Sequence, residues 1–198
     1  MKYDRVIRWL HASLALFIVT QLLSSLVMQV PIPGRDQILT ALGSASFQVH
    51  RFTGMGVLLI LLFHWFWALA GHIPDGFGHL FPWTDKMRMK KVIEDLRLLL
   101  HFKIHDFPVK SEFAGAVHGL GLLVANLMVL TGICLFYGIN SDGAMTYSVH
   151  FIKKVHQFIA NLMWAYLIGH VSMGILHQWI GHRLLSDMFN LIRKSPSV

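Results

Sequence analysis

Val155–His177 reads VHQFIANLMWAYLIGHVSMGILH, and its reading decides the fold. His156 and His170 stand fourteen residues apart within it. At about 3.6 residues per turn, that spacing is nearly four turns, so both imidazoles return to one face about 21 Å apart. The apolar segment around them runs from about Val149 to Trp179, long enough to cross a bilayer. Ionisable groups inside a membrane are costly, so they mark function by default.

Three further apolar runs have membrane length: about Val6–Val30, Phe47–Gly71 and Phe113–Ile139. Of the 198 residues, 55% are hydrophobic and 14% charged, against about a quarter charged in a soluble domain. The expected fold is an all-α membrane protein, a four-transmembrane-helix bundle forming one domain over residues 1–198. The start, MKYDRVIRWLHASLALFIVTQLL, resembles a signal peptide, but its apolar run is too long and no A-x-A site follows, so it is read as a retained first span.

The net charge of +7 does not call for nucleic acid. With the N-terminus inside, Lys2, Arg5, Arg8, Lys86, Arg88, Lys90, Lys91, Arg97, Lys103, Lys110, Arg183, Arg193 and Lys194 are cytoplasmic. Only Arg35, Arg51, Lys153 and Lys154 stay outside. The positive-inside rule accounts for this asymmetry and predicts an N-in/C-in topology. Pro31, Pro33 and Gly34 mark a first outer loop, PIPGRDQILTALGSAS, and GINSDGAMTYS reads as a second. In the longer inner loop, DKMRMKKVIEDLRLLLHF predicts a cytoplasmic amphipathic helix between the second and third spans. Val92, Ile93, Leu96, Leu99 and Leu100 share one face, and Lys90, Lys91, Glu94, Asp95 and Arg97 the other, which suits a leaflet surface or, less well, a partner subunit.

Cys134 is the only cysteine. That excludes a disulfide framework, C-x-x-C-H haem attachment and a four-thiolate iron–sulfur cluster. No G-x-G-x-x-G follows a strand pattern, so a Rossmann-type flavin or nicotinamide site is not expected. Cys134 itself is read as a small buried apolar residue. If the chain is redox-active, non-covalent haem is the cofactor left.

Thirteen histidines are many for this length. His50 sits near the outer start of the second span, level with His156 on the fourth. His11 lies about two turns into the first span from the inner side, level with His170. Two pairs at two depths follow, His50 with His156 and His11 with His170, each able to give one iron two neutral imidazoles. Such an iron has no open position, which favours electron transfer over oxygen binding. His64, fourteen residues after His50, lies at a depth similar to His11, and depth alone does not choose between them. Helices carrying two histidines each would match the cytochrome b of quinol-oxidising respiratory complexes. The other reading of His64 is a hydrogen-bond partner for a haem propionate or a neighbouring helix.

Arg8, Arg51 and Lys153 flank these histidines and suit haem propionates, or else are ordinary interfacial cations. His118, His64 and Asn126 are candidate quinone contacts in the inner half, Asn126 being otherwise a helix–helix hydrogen bond.

The run Val155–His177 resembles the fourth helix of the prokaryotic cytochrome b561 family, which is related to the cytochrome b subunits of nickel hydrogenases and formate dehydrogenases. RVIRWLHASLALFIVT, HRFTGMGVLLILLFHWFWAL and VHGLGLLVANLMVLTG resemble its first three helices. Carried over by position, the family's iron ligands fall on His11, His50, His156 and His170, which favours His11 over His64. The family usually has Arg at position 64, a different ending from GHRLLSDMF, and a shorter inner loop in its compact members.

The resemblance implies two non-covalent haems b and quinone as the substrate, in a multi-pass protein of the bacterial inner membrane. The expected partners are the bilayer, quinone, and a periplasmic donor such as superoxide or a redox protein. A second copy of the chain, forming a homodimer, is a further candidate. The chain would act as a haem-dependent, quinone-linked oxidoreductase without catalytic side chains. The alternative within this class is the membrane subunit of a larger dehydrogenase, hydrogenase or reductase. A metal transporter is the rival of another class, given thirteen histidines and ten methionines, though the methionines form no M-x-x-M ladder.

Overall fold

A computed structural model describes residues 4–31, 39–72, 76–101, 111–140 and 143–190. Pro33, Gly34 and Arg35 of the first loop lie outside these residues, as do the basic residues Lys2, Lys103, Lys110, Arg193 and Lys194. The described residues are helical, with no strand among them. Four helices are long and apolar enough to cross a membrane: α1 (Arg5–Val27), α2 (Ala41–Trp67), α5 (Glu112–Gly138) and α6 (Tyr147–Trp179). Three short elements, α3 (Gly76–Leu80), α4 (Lys86–Leu100) and α7 (Leu184–Phe189), gather at the end where α1 begins. That end is called proximal below, and the opposite end distal.

Local chemistry sets the helix limits. The Thr40 and Thr146 hydroxyls accept from the N–H groups of Gly43 and Val149, and Ser111 accepts from Ala114. Each satisfies an N–H that the first helical turn leaves unpaired. Thr40 starts α2 six residues before the expected Phe47, so ALGSAS is the first turn and a half of the helix rather than loop. At its other end α2 continues through a wide turn to Gly71, whose φ of 80° ends the helix in a conformation that favours glycine.

The 33 residues of α6 span about 50 Å, well beyond a hydrocarbon core of about 30 Å. Its ends therefore reach the headgroup zones. Tyr147 and Tyr137 are exposed at the distal end, and Trp9, Trp83 and Trp179 at the proximal end, as in the aromatic belts that mark membrane–water interfaces.

α1 packs on α2, α5 on α6, and α2 on α5. Leu22, Val57, Leu61, Leu122, Ala125 and Met163 form the core where they meet, with Leu80 of α3 beside them. Between helices bathed in lipid, close packing replaces the hydrophobic drive, and small residues permit it. A side chain on Gly121 would strike the Tyr166 ring, and one on Gly119 would strike the Leu80 carbonyl. Cys134, expected to be buried, is exposed on the outer surface of α5, where a lipid-facing position accepts a small weakly polar residue.

The amphipathic segment is helical as expected, but its faces divide differently. Asp95, read as part of the solvated face, is buried. Its carboxylate accepts from the Phe113 N–H at the start of α5, 3.2 Å away. Val92 is buried beside it, while Ile93, Leu96 and Leu100 point outward. The first-turn N–H groups of a helix have no partner within it and attract a carboxylate, and this overrides simple apolar sorting.

Candidate functional site

The distal level pairs His50 of α2 with His156 of α6. Their ring centres lie 6.4 Å apart with planes at 81°. The Nδ1 of His50 is 3.1 Å from the Gln21 carbonyl oxygen, which can only accept, so Nδ1 carries the proton. Ser24 Oγ stands 3.2 Å from the same nitrogen. The Nδ1 of His156 is 2.7 Å from Thr131 Oγ1. The Thr131 hydroxyl donates to the Leu127 carbonyl at 2.8 Å, so its oxygen accepts from the imidazole. Both rings are thus held as the Nδ1–H tautomer, and each Nε2 keeps a free lone pair.

A cavity of about 440 Å³ adjoins the pair, within the range of small-molecule and cofactor sites. His50, Arg51, Lys153 and His156 all line it, so the two cations expected near these histidines share their cavity. Arg51 is held by two rings, its guanidinium carbon 4.5 Å from the Phe136 centre and 5.6 Å from that of Phe47. Gly132 lies on the wall where a side chain would touch the His156 ring, so bare backbone leaves room for a flat group.

The proximal level pairs His11 of α1 with His170 of α6, ring centres 6.2 Å apart and planes at 47°. Tyr166, one turn before His170, stacks on it at 5.4 Å and 16°. His118 of α5 meets His170 edge-on at 5.3 Å, and Phe189 of α7 meets His11 at 5.7 Å. Arg8 is buried one turn before His11 and donates to the Asn190 backbone carbonyl. The two ends of the described chain therefore meet at this level. The Nδ1 of His11 is buried with no hydrogen-bond partner among the described residues. Such a nitrogen costs about 1–3 kcal/mol while it lacks a partner of its own.

Two iron–imidazole bonds of about 2 Å each, plus about 1 Å from each donor nitrogen to its ring centre, sum to about 6 Å. Both pairs match that separation. On α6 the two levels lie about 21 Å apart, with Met163 of the core midway between them.

The remaining expectations divide. His64 makes no ring contact with His170; its ring lies beside Trp65, and its Nε2 is buried without a hydrogen-bond partner among the described residues. Asn126 is committed to helix packing. Its Oδ1 accepts from the Trp65 indole at 3.1 Å, and its Nδ2 donates to the Leu122 carbonyl at 2.7 Å. Gln21, Thr131 and Tyr166 escaped the sequence reading. Their one signal was a polar group inside an apolar span, which also fits a residue bonding to its own helix.

Among the described residues no group of three or more His, Cys, Asp and Glu side chains is placed to share a metal ion. Imidazoles instead face one another at two levels of a four-helix membrane bundle, with His118 beside the proximal pair, the architecture of a membrane haem protein. The model of the prokaryotic cytochrome b561 family matches residues 2–191, and the chain belongs to that family. Membership makes it a multi-pass bacterial membrane protein that binds haem b and transfers electrons. No curated protein and no solved structure matches the chain.

Proposed function

We propose that this chain is a dihaem cytochrome b that moves electrons across the bacterial inner membrane between quinone and a periplasmic partner. The observation that carries this reading is the pair of ring separations, 6.2 and 6.4 Å, at two levels of one bundle. His50 with His156, and His11 with His170, are the proposed iron ligands. The haem, once bound, supplies a one-electron ferric–ferrous couple. His50 with His156, and His11 with His170, would each hold the iron through two imidazoles, which would favour electron transfer over oxygen binding.

Gln21 and Thr131 fix the distal rings through Nδ1 and raise their basicity as ligands. Arg51 and Lys153 at the distal cavity, and Arg8 at the proximal level, are suited to neutralise carboxylates of the cofactor. The proximal end is read as cytoplasmic from the basic residues Arg5, Arg8, Lys86, Arg88, Lys90, Lys91, Arg97 and Arg183. Arg51, Lys153 and Lys154 then give the periplasmic end a positive charge, which attracts an anion such as superoxide or an acidic redox protein. His118 and His64 are the proposed quinone contacts near the proximal level.

The test is a pyridine-haemochrome count on the purified protein with a reduced-minus-oxidised spectrum. Two b haems per chain are expected. None, after expression with ample haem, overturns the reading.

A further inference from the structure

We propose that α4 is an anionic-lipid dock, lying in the headgroup layer beside the bundle and gripping it from one flank. This goes beyond the electron-transfer reading and does not depend on it. The first observation is the attachment. Arg88 Nη1 bonds both Glu112 oxygens at 3.1 and 3.3 Å, and Asp95 accepts from Phe113. Arg88 and Asp95 are about 10 Å apart along α4, yet both hold the first turn of α5. The helix is thereby fixed at the very start of a membrane span.

The second observation is an exposed apolar stripe without a partner helix among the described residues. Met89, Ile93, Leu96 and Leu100 follow a spacing of four, three and four residues and are 40%, 42%, 38% and 67% exposed. On a helical wheel the stripe is centred about 100° from the Arg88–Val92–Asp95 face. A helix in the corner between an upright bundle and a flat leaflet needs this near right angle, with one flank on protein and the underside on lipid. Trp83, exposed just before α4, belongs to the proximal aromatic belt, so the stripe continues a surface already at the membrane boundary.

The third observation is charge. Lys86, Arg97 and Lys90 border the stripe on its far side from the bundle, and all are exposed. Among the described residues Lys90 alone of the three forms an ion pair, with Glu94 at 4.0 Å, an exposed pair of little strength. A stripe edged by cations matches a leaflet containing phosphatidylglycerol-type lipid better than an uncharged one.

The test uses full-length protein with Cys134→Ser, carrying a nitroxide at Ile93→Cys or at Glu94→Cys, in nanodiscs of zwitterionic lipid with or without phosphatidylglycerol. Collision with oxygen should exceed collision with a water-soluble nickel complex at position 93, and the order should reverse at position 94. Adding phosphatidylglycerol should deepen position 93. Lys86→Gln with Arg97→Gln should weaken that response by about fivefold per cation. Equal access of the nickel complex to positions 93 and 94 overturns the proposal. So does exclusion of both reagents from position 93, which would place protein, not lipid, on the stripe. An identical profile in both lipids overturns the anionic preference. The haem spectrum reports independently whether each variant is folded.

Discussion

Thr131 Oγ1 stands 2.7 Å from His156 Nδ1 while its own proton is committed to the Leu127 carbonyl. One hydroxyl of α5 thereby sets both the tautomer and the orientation of an imidazole on α6. Thr131→Val keeps the shape and removes the acceptor, leaving a buried N–H unpaired at a cost of about 1–3 kcal/mol. Retention of the distal haem should fall about 10- to 100-fold, the usual loss when such an outer partner of a metal-bound histidine is removed. Thr131→Ser should restore it. Haem retention against a competing apoprotein is the measurement, and an unchanged Thr131→Val variant would show that the hydroxyl does no more than pack.

His11 and His64 separate the two ways of completing the proximal level. The His11–His170 ring separation of 6.2 Å predicts that His11→Ala lowers the haem count from two to one per chain. His64→Ala should keep both haems, because its ring does not reach His170. The reverse result would transfer the ligand role to His64.

Gly121 lets Tyr166 pass close to the backbone of α5, and Tyr166 stacks on His170. Gly121→Ala forces the ring to move at a cost of about 1–3 kcal/mol. A lower thermal midpoint in detergent should accompany an altered signal of the proximal haem by electron paramagnetic resonance. The distal signal should stay as it is.

Asp85 caps α4 by accepting from the N–H groups of Met87 and Arg88. Its carboxyl is held below the ordinary carboxylate range, first by the Arg88 N–H, which desolvation opposes, and then by the Met87 N–H and the Arg88 charge. A depressed folded value means the cap's contribution is full above the ordinary carboxylate range and is lost as pH falls through the folded value. Amide exchange at Met87 and Arg88, corrected for its intrinsic pH dependence, should therefore speed up only in acid. Asp85→Ala should show fast exchange at every pH.

The four spans were legible because runs of apolar residues longer than a bilayer have few other uses. The start of α2 was not, since Ala41–Ser46 is small and weakly polar, and the Thr40 cap that commits it to helix is a single hydroxyl. The distal facing pair was legible from helical spacing and depth, whereas at the proximal level depth left His11 and His64 open and the family resemblance favoured His11. Rotation about each helix axis was not, and it is this that commits Asn126 to Trp65 and brings Phe189 and Tyr166 against the proximal rings. On α4 the polar character of Asp95 pointed outward, while the Phe113 N–H in the first turn of α5 drew it in.

The core of Leu61, Leu122 and Met163 between the two histidine levels has a consequence for energy conservation. Packed hydrocarbon gives hydrated ions no polar path. In the proposed cytochrome, an electron crosses this layer by tunnelling and no ion returns alongside it. Each turnover is then electrogenic. It does work against the membrane potential, or draws work from it, at about 2.3 kcal/mol per 100 mV for a full crossing and proportionately less for the span between the levels.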